Sequence, residues 1–242
     1  MLHRLKAAKL IWPTLFALAG LTLLIGLGTW QVERKAWKEG LIAKIAARVH
    51  ADPIPLAQAE QMRHDGADVE YMHVAARGRF RHDKERYLYA PATFGLGWHV
   101  YTPLELAPSR FVWINRGFVP DAEKDPARRS AGQVEGEVEV RGLVRMPAAK
   151  GLFTPDNDPA RNLWYWPDEA ALQASAFGRE ATALPVTVDA DAEPAPLGGL
   201  PRGGVTRLAL PNRHLEYAIT WYGLAITLIA VYFAFAVSRL RP

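Results

Sequence analysis

Pro211-Asn212-Arg213-His214-Leu215-Glu216-Tyr217-Ala218-Ile219-Thr220-Trp221-Tyr222 leads into a segment that stays free of ionised side chains from Tyr217 to Ser238. A helix needs about 20 apolar residues to cross a hydrocarbon layer of roughly 30 Å, so 217–238 is predicted to be a transmembrane helix. His214 and two charges, Arg213 and Glu216, stand at its start. A histidine at such an edge either faces water or faces a group bound between helices.

The other end reads the same way. Leu10 to Val32 carries no charge, which gives a second predicted span. Arg4, Lys6 and Lys9 precede it, and Ala17-Leu18-Ala19 mimics a leader cleavage site. The apolar run continues through Leu21, Leu23, Leu24, Ile25 and Leu27, so an uncleaved anchor is expected. Two spans place both chain ends on one side. Arg239 and Arg241 follow the second span, and the positive-inside tendency puts both ends in the cytoplasm. The expected organisation is a cytoplasmic tail over 1–9, spans over 10–32 and 217–238, a tail over 239–242, and an extracytoplasmic domain over 33–213. Trp12, Trp30 and Trp221 fall near span ends, where amphipathic rings favour the lipid headgroups.

The chain has no cysteine, which excludes disulfides, thiolate metal sites and a cysteine nucleophile. Its net charge of +4 comes from interspersed acids and bases without a dense basic block, so nucleic acid is not an expected partner. Trp37, Leu41, Ile42 and Ile45 recur at helical spacing and predict a juxtamembrane helix over 33–50, which Asp52-Pro53-Ile54-Pro55 ends. A short helix is expected over 56–62. After Gly66, β-type runs cover Val69–Phe80, Arg86–Tyr89, Trp98–Leu106, Arg110–Asn115, Val134–Val144, Pro185–Asp189 and Val205–Leu210. Gly, Pro and Asx turns separate them, and Pro167–Gly178 has the composition of one more helix. No alternation of strand and crossover helix is visible. The predicted fold is therefore a mainly antiparallel, β-rich α+β domain, a sheet or small barrel, between two transmembrane helices.

Few constellations carry chemistry. Asp156-Asn157-Asp158 offers alternating oxygens for a hard cation, but flanking prolines favour a turn. Trp164-Tyr165-Trp166 could stack on a planar cofactor or lie on a membrane, and the plainer expectation is one core ring with its neighbours at an edge. His50, His64, His73, His82 and His99 lack metal-site spacing, and no serine sits in G-x-S-x-G. No catalytic residue is expected. By chemistry alone His214 reads first as an interfacial residue and second as a ligand.

Several pieces recur in a telling order: Leu27-Gly28-Thr29-Trp30-Gln31 with Arg34 and Trp37-Lys38, Gly78-Arg79-Phe80, and Gly97-Trp98-His99-Val100-Tyr101-Thr102-Pro103-Leu104. Ile114-Asn115-Arg116-Gly117-Phe118-Val119-Pro120, Phe153-Thr154-Pro155-Asp156-Asn157-Asp158-Pro159, Trp164-Tyr165-Trp166 and Pro211 to Trp221 follow. Together they resemble the SURF1 (Shy1-type) family of cytochrome c oxidase assembly proteins over nearly the whole chain. Phe118 departs from the tryptophan usual after Arg-Gly, and Trp113 is bulkier than the common aliphatic residue. The resemblance implies a bacterial inner-membrane protein with a periplasmic domain that is not an enzyme. It implies assistance in inserting haem a into cytochrome c oxidase subunit I, with haem a synthase and the lipid bilayer as further partners. The histidine that ligates haem iron in some members corresponds to His214. Tyr217 and Trp221, one and two turns on, are the implied cofactor-packing residues. Two alternatives stand beside this: a scaffold that stabilises subunit I without haem, and a membrane-tethered enzyme or ligand sensor.

Overall fold

A computed structural model of the chain describes residues 10–90, 95–178, 181–206, 208 and 210–240. The expected tails over 1–9 and 241–242 lie outside these. The chain forms two compact units, one containing the described residues up to Lys44 together with those after Leu208, the other Ile45–Leu208.

The first unit is helical. Helix α1 (Ile11–Val49) runs unbroken through the expected span and the expected juxtamembrane helix. Gly40 does not interrupt it, and Lys35 and Glu39 form an i,i+4 pair at 2.7 Å on the turn before. At the other end α4 (His214–Leu240) covers the second predicted span. Both are long and apolar enough to cross a membrane.

The second unit is a closed barrel. Its strands are β1 (Ile54–Pro55), β2 (His73–Phe80), β3 (Arg86–Tyr89), β4 (Gly97–Ala107), β5 (Arg110–Pro120), β6 (Glu137–Arg145) and β7 (Thr182–Ala190), with α2 (Leu56–His64) and α3 (Glu169–Phe177) outside the sheet. Their order is β1-β2-β6-β7-β5-β4-β3, and an additional β2–β4 pairing closes five of them into a ring. The pairings are antiparallel except β5–β7 and the short β1–β2 contact. Closure leaves β1 and β3 as appendages rather than barrel members.

Why β5 is apolar without alternation is clear from its two faces. Val112 and Ile114 join the main core with Val74, Leu104, Val144 and Val188. Trp113, on the opposite face, packs with Tyr101, Trp164, Leu172 and Ala176, and the Phe111 ring stacks on Phe177 of α3 at 4.3 Å. A strand covered on both sides gains by being hydrophobic throughout. Asp168 caps α3 by accepting from the Ala171 N–H at 3.0 Å, and Gly178 ends it at φ 58°.

Several expected boundaries move. The run from Val69 becomes a strand only at His73, because Tyr71 adopts a left-handed φ of 62° and Met72 N–H turns back to the Val69 carbonyl. The expected strand from Val134 begins at Glu137. Strand β5 passes its expected end at Asn115 and continues to Pro120, carrying a bulge. No strand includes Val205, Thr206, Leu208 or Leu210, and the remainder of that expected run lies outside the described residues. Thr206 instead donates its hydroxyl to Asp189 at 2.7 Å, which ties the segment to β7 by a side chain rather than by a ladder.

Candidate functional site

In the first unit α1 and α4 lie antiparallel, and their contacts follow one another along both helices. Gly20 faces Leu228, and Gly28 faces the Tyr222 ring so closely that a Cβ there would sit 2.8 Å from Cε1. Small residues that let helices approach are the usual device where both neighbours and lipid are apolar. The Tyr222 hydroxyl lies 3.1 Å from Thr29 Oγ1, and Thr14 meets Tyr232 near the far end. Lys38 Nζ donates to the Pro211 carbonyl just before α4 begins.

His214, the first residue of α4, belongs to this contact series. Its Nδ1 lies 2.6 Å from Gln31 Oε1. An amide oxygen only accepts, so this contact needs a proton on Nδ1 and leaves the Nε2 edge of the ring turned away from Gln31. Gln31 is itself buried, a polar residue within the apolar stretch, and such residues require a partner. Ala218 and Ala225 are buried and Tyr222 meets α1, which sets that face of α4 against its partner helix. Tyr217 projects away, 53% exposed, and Trp221 is half-buried. The structure thus brings His214 to Gln31, which the sequence does not pair with it. Asn212 Oδ1, two residues before His214, is buried without a hydrogen-bond partner.

The barrel holds a different polar centre. The β4–β5 register changes between His99 and Tyr101, where Arg116 and Gly117 form a bulge on β5. The bulge turns the Arg116 side chain inward, where it is buried. There Glu85 accepts from Arg129 at 2.6 Å, Tyr87 at 3.0 Å, and Arg116 and Gln133 at 3.3 Å each. Arg116 also donates to the Gly132 carbonyl. Burial would raise the Glu85 carboxyl, but hydrogen bonds from His82 and Arg129 and the charges of Arg129 and Arg116 outweigh it and hold it at about 2. Burial lowers Arg116 to about 10 against the opposing pull of Glu85. One carboxylate thus gathers β3, β5 and the segment from Pro126 to Gly132, a structural staple that the surface-like run Asp83-Lys84-Glu85-Arg86 did not announce.

A second carboxyl moves the other way. Burial raises Glu169, in the first turn of α3, to about 7 despite nearby Arg63. A raised acid loses stabilisation as pH climbs from its ordinary value through the folded one. Glu169→Gln is therefore expected to raise the thermal midpoint at pH 8 and leave it unchanged near pH 4, measured by circular dichroism.

The two motifs weighed in the sequence resolve as structure. Asn157 Oδ1 accepts from Tyr165 N–H at 2.8 Å, and Asp158 Oδ1 accepts from Arg161 N–H at 3.1 Å. Trp164 is fully buried, and its backbone pairs with Tyr87 and Tyr89 of β3. Tyr165 and Trp166 are half-buried at the edge, as expected for one core ring with its neighbours at an edge.

A family model described as the SURF1 family matches residues 18–226. A SURF1-like protein of Monosiga brevicollis is 41% identical over 220 residues, covering 86% of this chain and 81% of its own. Surfeit locus protein 1 of Mus musculus is 39% identical over 231 residues, covering 88% and 72%, and that of Homo sapiens 40% over 218 residues, covering 83% and 69%. The matched region takes in Gly28, Gln31, the Arg116–Gly117 bulge, His214 and Tyr222, which are the residues that build the helix pair and the barrel centre. The chain belongs to the SURF1 family.

Proposed function

We propose that the protein is a membrane-anchored assembly factor for a haem–copper cytochrome c oxidase, and that it carries haem a on His214 toward oxidase subunit I. The observation that supports the ligand is the Gln31 Oε1 contact to His214 Nδ1 at 2.6 Å. A ligating histidine is oriented by what its second nitrogen donates to, and Gln31 plays that part here. Haem a is cargo in this reading, received from haem a synthase in the inner membrane and passed on without a bond of its macrocycle being made or broken. The protein acts as a chaperone, with Tyr217 and Trp221 offering ring surface beside the ligand and the barrel on the periplasmic side.

Coexpression with haem a synthesis, followed by purification of the full chain in detergent, tests this. Wild type is expected to carry haem a, and His214→Ala to carry none. Gln31→Leu frees the imidazole tautomer and is expected to weaken retention by roughly 10–100-fold. His214→Ala retaining the same haem with the same spectrum would remove the ligand assignment. Loss of oxidase in a deletion strain, with no haem ever found on the purified wild type, would establish a scaffold instead.

A further inference from the structure

The segment Gly151-Leu152-Phe153-Thr154, between β6 and the short 3-10 turn Pro159–Arg161, has no part in the helix pair or the barrel centre. Thr154 N–H donates to the Gly151 carbonyl at 3.0 Å, which places Leu152 and Phe153 at the two central positions of a tight turn. They are 90% and 94% exposed. The turn is built from its base: Lys150 pairs with Asp156, and Asn157 is fixed to the backbone of Tyr165 and Trp166. Two adjacent large apolar side chains are therefore held out in space rather than folded back. Leu96 and Leu197 are also exposed in the barrel unit, but each stands without an apolar neighbour in sequence of that exposure. Isolated exposure is ordinary, and a presented pair is not.

We propose that the Leu152–Phe153 turn is a finger that seats in the headgroup–acyl boundary of the lipid bilayer. A two-residue tip is far smaller than the roughly 800 Å² that each side of a stable protein interface contributes. A fluid that moulds itself around the tip has no such requirement. On its own, burial of two such side chains gives affinity only of about millimolar order. Here that suffices, because the 45–208 segment is joined at both ends to helices of membrane length and so never leaves the vicinity of a bilayer.

The absence of cysteine makes the test direct. Phe153→Cys in the full chain carries a nitroxide label, and the protein is placed in vesicles of phosphatidylcholine and phosphatidylglycerol. Asp65→Cys serves as the aqueous reference and Leu224→Cys as the lipid reference. Accessibility to oxygen relative to a water-soluble nickel chelate is read by electron paramagnetic resonance. The ratio at 153 is expected to exceed that at 65 several-fold and to approach that at 224. Adding Leu152→Asp, which does not touch the core, is expected to return it toward the aqueous value. A ratio at 153 equal to that at 65 overturns the proposal. So does an immobilised label shielded from both reagents, which would mean that a protein pocket holds the tip.

Discussion

Gly117→Ala is expected to destabilise the barrel by about 4 kcal/mol or more, enough to prevent accumulation of folded protein. Gly117 sits at φ 113°, where an L side chain is strained, and a Cβ there would lie 1.8 Å from the Arg202 carbonyl oxygen. That carbonyl is not free to retreat, because it accepts from Phe118 N–H at 2.8 Å while Arg202 N–H donates back to the Phe118 carbonyl at 2.9 Å. Gly136→Ala is the matched control. Its φ of 85° imposes similar backbone strain, but nothing lies within 4 Å of the added Cβ. It is expected to cost only about 1–2 kcal/mol. Denaturant unfolding of both variants in detergent decides the matter: equal losses would mean that backbone strain, and not the close approach of Arg202, makes glycine necessary at 117.

Glu85→Gln is expected to cost about 3–5 kcal/mol, because it removes a carboxylate that neutralises two buried guanidiniums. The Arg129 side chain is 1% exposed and that of Arg116 6%, so neither can recover its hydration without opening the barrel. At roughly 2–4 °C per kcal/mol for a domain of this size, the midpoint should fall by about 10 °C at pH 7. Acid distinguishes this from simple loss of packing. The folded carboxyl, at about 2, lies below its ordinary value of 4.5, so its contribution is complete above 4.5 and disappears as pH falls toward 2. Wild type and Glu85→Gln should therefore converge in stability between pH 4.5 and 2. A gap that stays constant across that window would show that the charge of Glu85 is not what stabilises the fold.

The sequence made legible what depends on local composition. Charge-free runs at 10–32 and 217–238 located the helices, and alternating or β-branched runs located most strands to within a few residues. It failed where one residue departs from its neighbours. Tyr71 looks like part of a strand but turns left-handed. The expected strand stopped at Asn115, whereas Arg116-Gly117 is a bulge inside a strand that runs on to Pro120. Pairings over long separations were invisible for a different reason: Glu85 meets Arg129, and Gln31 meets His214, only after the barrel and the helix pair exist. Gln31 nonetheless left a trace, as an amide inside an otherwise apolar segment that needs somewhere to direct its hydrogen bonds. Glu85 left none, since a carboxylate between Lys84 and Arg86 reads as surface.

The close fit of α1 to α4 bears on how the barrel resists unfolding. Gly20 against Leu228, Gly28 against Tyr222 and Gln31 against His214 keep the flanks of the 45–208 segment joined even when that segment loses its structure. In a chain without cysteine, this contact replaces a covalent cross-link. Closing a loop of a hundred residues or more removes entropy from the denatured chain that is equivalent to roughly 5 kcal/mol in the loop-closure treatment. The barrel excised from its helices forfeits that contribution with every internal contact intact. Its stability is thus set in part outside its own core, by how far the unfolded polypeptide is allowed to spread.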